Sequence, residues 1–223
     1  MPESIGISER LQRLVSLVPE GIELVAVSKF HPVEQIREAY DAGQRIFGES
    51  RVQELLEKIP LLPADISWHF IGHLQTNKVR PLIGKCALIE SVDSVRLLKI
   101  IDEESARKGC ITRVLLQVHV AAEETKFGFS PDELRDFFRS RGFESLTNTH
   151  ISGLMAMATN TDDVDVVRGD FAAVASLFRE VREITSDLRG FETLSMGMTG
   201  DWPIAVEEGA TMIRVGSAIF GPR

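Results

Sequence analysis

Short apolar runs alternate along this chain with longer runs in which apolar residues recur every three or four positions. Val114-Leu115-Leu116 is apolar throughout, which favours a strand that is buried on both faces. The pattern predicts eight strands, at Glu23–Ser28, Arg45–Phe47, Trp68–Ile71, Ala87–Glu90, Arg113–His119, His150–Leu154, Thr193–Met196 and Met212–Val215.

Helical patterns fill the gaps between these strands. After the first strand, apolar residues recur at helical spacing within Val33–Ala42. Asp93 is the predicted N-cap of the helix after the fourth strand, and Ser130 followed by Pro131 predicts another helix start. An additional helix at Ser8–Leu17 precedes the first strand.

Strands that alternate with helices predict parallel pairing through right-handed crossovers. Eight such units favour an α/β fold that closes into a single (β/α)₈ TIM barrel, with residues 1–223 as one domain. A doubly wound open sheet is the alternative, but it usually has fewer strands. No Gly-x-Gly-x-x-Gly follows the first strand, which further weakens a dinucleotide fold.

Composition narrows the function classes. The 223 residues are 43% hydrophobic, enough for one substantial core, and the net charge of −8 argues against a nucleic-acid partner. Cys86 and Cys110 fit no metal or redox spacing, which suits a reducing compartment. We see no signal-peptide pattern and no apolar run long enough for a membrane, and we therefore predict a cytoplasmic protein.

Lys29 is the most informative residue, because it directly follows the first predicted strand. The carboxyl ends of barrel strands carry the chemistry of such folds. A lysine amine there can form a Schiff base with a carbonyl, including the aldehyde of pyridoxal phosphate. The alternative, a surface lysine at a strand end, is commoner when position alone is considered.

The last two strand-to-helix loops suggest a phosphate site. Barrels frequently bind phosphate between the loops after strands seven and eight. Ser195, Gly197, Gly216 and Ser217 supply hydroxyls and closely approachable backbone in those loops. Strands one and eight become neighbours when the barrel closes, so Lys29 is expected near this pole.

Arg214 and two histidines each allow two interpretations. Arg214 could meet a ligand ring as a fixed cation or belong to an ion pair in the barrel core. His69 and His73 have a spacing that binds zinc on a helix, but Trp68–Ile71 is predicted as strand, so no metal is expected. Four methionines are predicted to line a pocket: Met155, Met157, Met196 and Met198.

Five motifs together resemble the pyridoxal phosphate homeostasis proteins, also called proline synthetase co-transcribed proteins. The resemblance runs from Leu24 to Gly221 and is highly specific. The motifs are Ala26-Val27-Ser28-Lys29, Trp68-His69-Phe70-Ile71-Gly72-His73-Leu74-Gln75 with Asn77-Lys78, Ser152-Gly153-Leu154-Met155, Leu194-Ser195-Met196-Gly197-Met198-Thr199 with Asp201-Trp202, and Arg214-Val215-Gly216-Ser217-Ala218-Ile219-Phe220-Gly221.

The resemblance implies a barrel like the N-terminal domain of alanine racemase, with pyridoxal 5′-phosphate held as a Schiff base on Lys29. It implies a phosphate cradle from Ser195, Gly216 and Ser217, and Arg214 facing the pyridine nitrogen. The remaining cofactor-binding candidates are Val27, His69, Met196, Gly197 and Ser50.

Two positions depart from the pattern of that family. Ser50 stands where the family usually has Asn, and its shorter side chain weakens the case for a cofactor contact there. The fifth loop lacks the family's early Asn, although Lys126 matches its lysine and suggests a role in handing the cofactor over.

The function we predict is intracellular homeostasis of vitamin B6, with cofactor held for buffering or delivery and without catalytic turnover. The alternative is a weak racemase or a barrel-type Schiff-base lyase. A racemase needs an acid/base group on each face of the cofactor. The sequence shows no second, β-rich domain, and its only tyrosine, Tyr40, is predicted within the first helix. Partners are expected to be the cofactor and, transiently, apo-enzymes that use it, with the protein itself a monomer.

Overall fold

The computed structural model describes residues 5–120, 127–185 and 189–222. Eight parallel strands close into one barrel in chain order. The first strand pairs with the last, with Val25 opposite Arg214. The strands are β1 Glu23–Val27, β2 Ile46–Glu49, β3 Ser67–Phe70, β4 Leu88–Val92, β5 Thr112–Val118, β6 Thr149–Ala156, β7 Thr193–Ser195 and β8 Met212–Val215.

Helices connect the strands and surround the barrel. They are α1 Ile7–Leu17, α2 Val33–Asp41, α3 Val52–Lys58, α4 Val79–Leu82, α5 Val95–Lys108, α6 Pro131–Arg139, α7 Val164–Ile184, α8 Trp202–Glu207 and α9 Ser217–Phe220. The additional helix α1 packs on α2 and α9. Arg10 ties α1 to α9, because its Nε donates to the carbonyl of Ile219 at 2.7 Å. No helix in the described part of the chain combines the length and apolar character needed to cross a bilayer.

The predicted barrel and its extra N-terminal helix are confirmed, and each predicted strand overlaps one that is observed. One helix start was wrong by a residue: the cap of α5 is Ser94, whose hydroxyl accepts from the backbone of Leu97, and not Asp93. Ser130 caps α6 as predicted, and Glu133 completes a capping box with it.

The core has two layers, as the alternation of side chains along barrel strands requires. One set of buried side chains fills the barrel interior: Val25, Leu88, Leu115, Met155 and Met212. A much larger set, which includes Phe47, Phe70 and Phe171, fills the space between the strands and the helices. Because the interior is packed, polar groups at the carboxyl ends of the strands sit on a rigid base.

Candidate functional site

A cavity of about 340 Å³ opens at the carboxyl ends of the strands. We call it the main cavity. Six of the predicted cofactor-binding residues line it: Val27, Lys29, Ser50, Arg214, Gly216 and Ser217. Its other lining residues are His31, Ile71, Met157, Met198, Thr199 and Gly221.

Lys29 is half-buried and opens the loop between β1 and α2. The next residue, Phe30, has a φ of 68°, which is rare for a residue with a side chain. Its backbone N–H donates to Oε1 of Glu54 at 2.5 Å, and the guanidinium of Arg51 lies over its ring. These contacts hold the backbone turn that places Lys29 on the cavity wall.

A buried polar cluster lies under that turn, made of Ser28, Glu49, Glu54 and Lys58. Nζ of Lys58 donates to Glu49 at 2.8 Å, to Glu54 at 2.6 Å and to the carbonyl of Ser28 at 2.9 Å. The hydroxyl of Ser28 donates to Glu49 at 2.6 Å. Burial raises the pKa of Glu49, although the hydrogen bonds from Lys58 and Ser28 oppose that rise. The cluster therefore ties β1, β2 and α3 together next to Lys29.

A second buried chain of polar groups forms the floor of the main cavity. We call His69, Glu90, Ser195 and Arg214 the floor network. Nδ1 of His69 lies 2.7 Å from Oε1 of Glu90, and the hydroxyl of Ser195 donates to Oε2 of Glu90 at 2.6 Å. Nη1 of Arg214 donates to Ser195 at 2.6 Å, and its Nη2 donates to the carbonyl of Ala156 at 2.8 Å.

The charges within this floor network are complementary. Burial raises the pKa of Glu90, but the hydrogen bond from His69 and the charges of His69 and Arg214 outweigh it, so that the pKa falls below its ordinary value. Burial lowers the pKa of Arg214, yet a guanidinium remains charged at any physiological pH. The ion-pair interpretation of Arg214 is confirmed, because its Nη1 lies 3.7 Å from Glu90. Arg214 also lines the main cavity, and its contact with a ligand ring stays a prediction.

The loops after β7 and β8 meet at one side of the main cavity. The backbone N–H of Gly216 donates to the hydroxyl of Thr199 at 3.3 Å, which joins the two loops. A Cβ at Gly216 would lie 3.3 Å from the Cβ of Val27, tighter than ordinary packing. Ser217 follows at the start of α9. Hydroxyls and close backbone approach suit an anion here.

Four of the predicted cofactor-binding residues are not among the residues that line the main cavity. Ser195 is fully buried and its hydroxyl is engaged by Glu90 and Arg214, so its place in the phosphate cradle stays a prediction. His69 is buried and contacts Glu90 in the same network. Gly197 packs against α8, where a Cβ would lie 2.7 Å from Ala205, and Met196 is buried in the core.

Of the four methionines, Met157 and Met198 line the main cavity, whereas Met155 and Met196 belong to the core. His73 faces Asp93, with its Nδ1 3.1 Å from the carboxylate. Among the described residues, no group of three or more metal-ligating side chains could hold a metal ion. The predicted role of Lys126 falls outside the described residues.

Sequence reasoning missed three residues that matter here. Glu90 organises the floor network, and its charge at the end of an apolar strand was a usable signal. Thr199 follows the seventh strand by four residues and was quoted only as part of a motif. His31 lines the main cavity and stacks on Phe220, with ring centroids 4.6 Å apart, a contact between opposite ends of the chain.

Comparison with known proteins gives consistent matches. The family described as "Alanine racemase, N-terminal domain" matches residues 6–223. Pyridoxal phosphate homeostasis proteins of Aquifex aeolicus and Homo sapiens are each 38% identical, over 96% and 98% of this chain and 97% and 84% of their own length.

A solved structure of PipY from Synechococcus elongatus with PLP bound superposes with a TM-score of 0.89. It is 40% identical, and the match covers 96% of this chain and all of PipY. An alanine racemase of Clostridium difficile shares the fold at 14% identity and a TM-score of 0.81, over 57% of that enzyme.

Proposed function

This chain belongs to the family of pyridoxal phosphate homeostasis proteins, and we propose that it holds pyridoxal 5′-phosphate on Lys29 for intracellular buffering or delivery. The observation that carries the proposal is that Lys29, Arg214 and Gly216 line one cavity of about 340 Å³. An amine, a fixed cation and a glycine that allows close backbone approach suit an aldehyde, a pyridine ring and a phosphate.

The residues of the main cavity fit the cofactor part by part. When bound, pyridoxal phosphate supplies an aldehyde that reacts with amines. Lys29 provides that amine, and the loops after β7 and β8 provide the anion site, with Thr199, Gly216 and Ser217. Arg214 would face the pyridine nitrogen. Ser195 supports Arg214 from below, since its hydroxyl accepts from Nη1.

We propose that the protein is not an enzyme. Tyr40, the only tyrosine in the sequence, lies near the end of α2, away from the carboxyl ends of the strands. Its hydroxyl donates to Asp65 at 2.7 Å, which raises the pKa of Tyr40. A charged Arg214 facing the pyridine nitrogen would disfavour protonation of the ring and would make the cofactor a poorer electron sink. A weak racemase or a Schiff-base lyase remains the alternative function.

Several features of the cellular role belong to the same proposal. We place the protein in the cytoplasm, as a monomer with residues 1–223 in one domain, and in transient contact with apo-enzymes that receive the cofactor. Free Cys86 and Cys110 are consistent with a reducing compartment.

Trapping with borohydride tests the assignment of Lys29. The purified protein is incubated with pyridoxal phosphate, reduced and digested, and the modified peptide is identified by mass spectrometry. We expect the adduct on the peptide that carries Lys29, and its loss in Lys29→Ala. Lys99→Ala, which alters an exposed lysine on α5, is the matched control and should leave the adduct unchanged. An adduct found mainly on another lysine of the wild type would refute the assignment.

A further inference from the structure

A second pocket, of about 390 Å³, lies beside the main cavity, and Ser50 lines both. It is built where β2 passes into α3 and where β3 passes into α4. The wall between the two is thin, because the backbones of Ser50 and Gly72 touch: a Cβ at Gly72 would lie 2.2 Å from the carbonyl oxygen of Ser50. We call this space the side pocket.

Positive charge distinguishes the side pocket from the rest of this acidic protein. Its lining includes Arg51 and Lys78, from two different loops, and contains no carboxylate. The chain as a whole carries a net charge of −8. Within the described ranges no carboxylate pairs with either cation, and the guanidinium of Arg51 only lies over the ring of Phe30, 4.6 Å from its centroid. Two cations that pair with no carboxylate among residues 5–120, 127–185 and 189–222 favour an anionic occupant.

The base of the side pocket is apolar. Phe70 and Val52 are buried there, and half-buried Leu56 and exposed Pro81 complete the surface. Gln53 and Gln75 add amide groups at the rim. An apolar base with a few convergent polar groups is typical of small-molecule sites. The volume is close to that of the main cavity, which suits a ligand of similar size.

We propose that the side pocket is a second, non-covalent site for a small phosphate monoester with a flat apolar body. Its phosphate would meet Arg51 and Lys78, since Arg presents a fork of donors and Lys a point charge that phosphate oxygens accept. Its ring would lie on the accessible apolar surface of Val52, Leu56 and Pro81, above the buried Phe70. If the proposed function holds, phosphorylated pyridine released from Lys29 occupies this site next, because Ser50 lines both spaces.

Calorimetry on protein whose main cavity is blocked tests this site. The protein is loaded with pyridoxal phosphate, reduced with borohydride and titrated with pyridoxine 5′-phosphate, which has no aldehyde. We expect binding of one further equivalent. Arg51→Gln with Lys78→Gln should weaken that binding by at least about tenfold, because two charge-assisted contacts are lost. The loss should shrink at high salt, since both cations are exposed and screened.

A matched control removes the same charge elsewhere. Arg179→Gln with Arg182→Gln changes two exposed arginines on α7, on the opposite side of the barrel, and one of them also lies over a phenylalanine ring. This variant should bind as the wild type does. If both double variants bind pyridoxine 5′-phosphate equally weakly, the effect is one of net charge and the proposal is overturned. The proposal is also overturned if the wild type binds no further equivalent.

Two further titrants show whether the side pocket binds the phosphate, the ring or both. Inorganic phosphate carries the charge alone, and pyridoxine carries the ring alone. We expect each to bind more weakly than pyridoxine 5′-phosphate, whereas phosphate binding just as tightly would make the site a general phosphate site and refute the ring contact. If no adduct forms on Lys29, the proposed function fails. Titration of the unreduced protein and of both double variants with pyridoxine 5′-phosphate still tests binding at the side pocket.

Discussion

At the scale of single residues, the partner of each polar atom decides what the residue does. Ser195 was predicted to bind phosphate, and in the structure its hydroxyl donates to Glu90 and accepts from Arg214. Thr199, in contrast, reaches the backbone of Gly216 and lines the main cavity. The fully buried Glu90 carboxylate is what allows a charged Arg214 to stand in the floor.

Replacing Glu90 with Gln should therefore destabilise the protein by about 3–5 kcal/mol at neutral pH, because Arg214 is left buried without its counter-charge. The pKa of Glu90 is lower in the folded state than the ordinary 4.5. Its stabilising contribution is thus complete above pH 4.5 and is lost as the pH falls below that value. Urea unfolding of the wild type and of Glu90→Gln, measured from pH 7 downward, should give free energies of unfolding whose difference shrinks below pH 4.5.

Glu20→Gln, at an exposed position, is the control for that series and should follow the wild type closely. If the free energies of unfolding of the wild type and Glu90→Gln differ by the same amount at every pH, the assigned charge of Glu90 is contradicted.

Gly216→Ala should weaken pyridoxal phosphate by about tenfold more than it weakens pyridoxal. The added methyl group would point toward Val27 at 3.3 Å and restrict the approach of the phosphate to the backbone. Dissociation constants for the two ligands, measured by absorbance, test this. Gly200→Ala is the control, because a Cβ there would meet nothing within 4 Å. Equal weakening of both ligands would place the phosphate elsewhere.

At the scale of elements, the strands deliver the site residues and their spacing depends on close backbone contacts. A Cβ at Gly153 in β6 would lie 1.8 Å from the carbonyl oxygen of Thr193 in β7, at a φ of 153° that side chains rarely adopt. The two strands can pair only because this residue has no side chain. The pairing positions the start of the loop that follows β7.

Gly153→Ala should consequently destabilise the barrel by about 3 kcal/mol or more, since backbone must move to relieve the clash. Gly169→Ala is the matched control: it lies exposed in α7, where a Cβ would meet nothing within 4 Å. That change should stabilise the protein by about 0.5–1 kcal/mol, because Ala favours a helix more than Gly does. Urea unfolding should show changes of opposite sign in the free energy of unfolding of the two variants. If Gly153→Ala leaves that free energy unchanged, β6 and β7 can separate at little cost.

At the scale of the whole molecule, barrel closure assembles the site from distant parts of the chain. Because β1 pairs with β8, Lys29 comes to share a cavity with Arg214 and Gly216. The same topology leads α2 away from the carboxyl ends of the strands, so Tyr40 lies far from Lys29 along the helix. Closure thus unites the groups that we propose hold the cofactor, and it separates from them Tyr40, the only tyrosine in the sequence.

We expect no competent racemisation, because a second acid/base group on the other face of the cofactor is needed. The measurement is deuterium incorporation from solvent at Cα of L-alanine and other amino acids, with D-isomer formation followed in parallel. An alanine racemase under the same conditions is the control. Turnover within the ordinary enzymatic range of about 1–10³ per second would overturn the proposed role. Slow exchange without D-isomer would indicate access by Lys29 from one face only.

The sequence by itself determined the fold class, the strand positions and the residues at the strand ends. These follow from local information, since the alternation of apolar runs is set by backbone periodicity and by burial on two faces. Lys29, Arg214, Gly216 and Ser217 were therefore predictable as residues of one face. The capping of α6 was predictable for the same reason, because a cap involves neighbours in sequence.

Only the tertiary structure decided which polar groups face the main cavity and which turn away from it. Ser195 and Thr199 are both hydroxyl residues near the end of β7, and no local pattern separates the one held by Glu90 from the one beside Gly216. Their partners lie far away in sequence and are brought near by barrel closure. Hydrogen bonds at 2.6 Å between Ser195 and both Glu90 and Arg214 depend on positions that only the packed barrel defines.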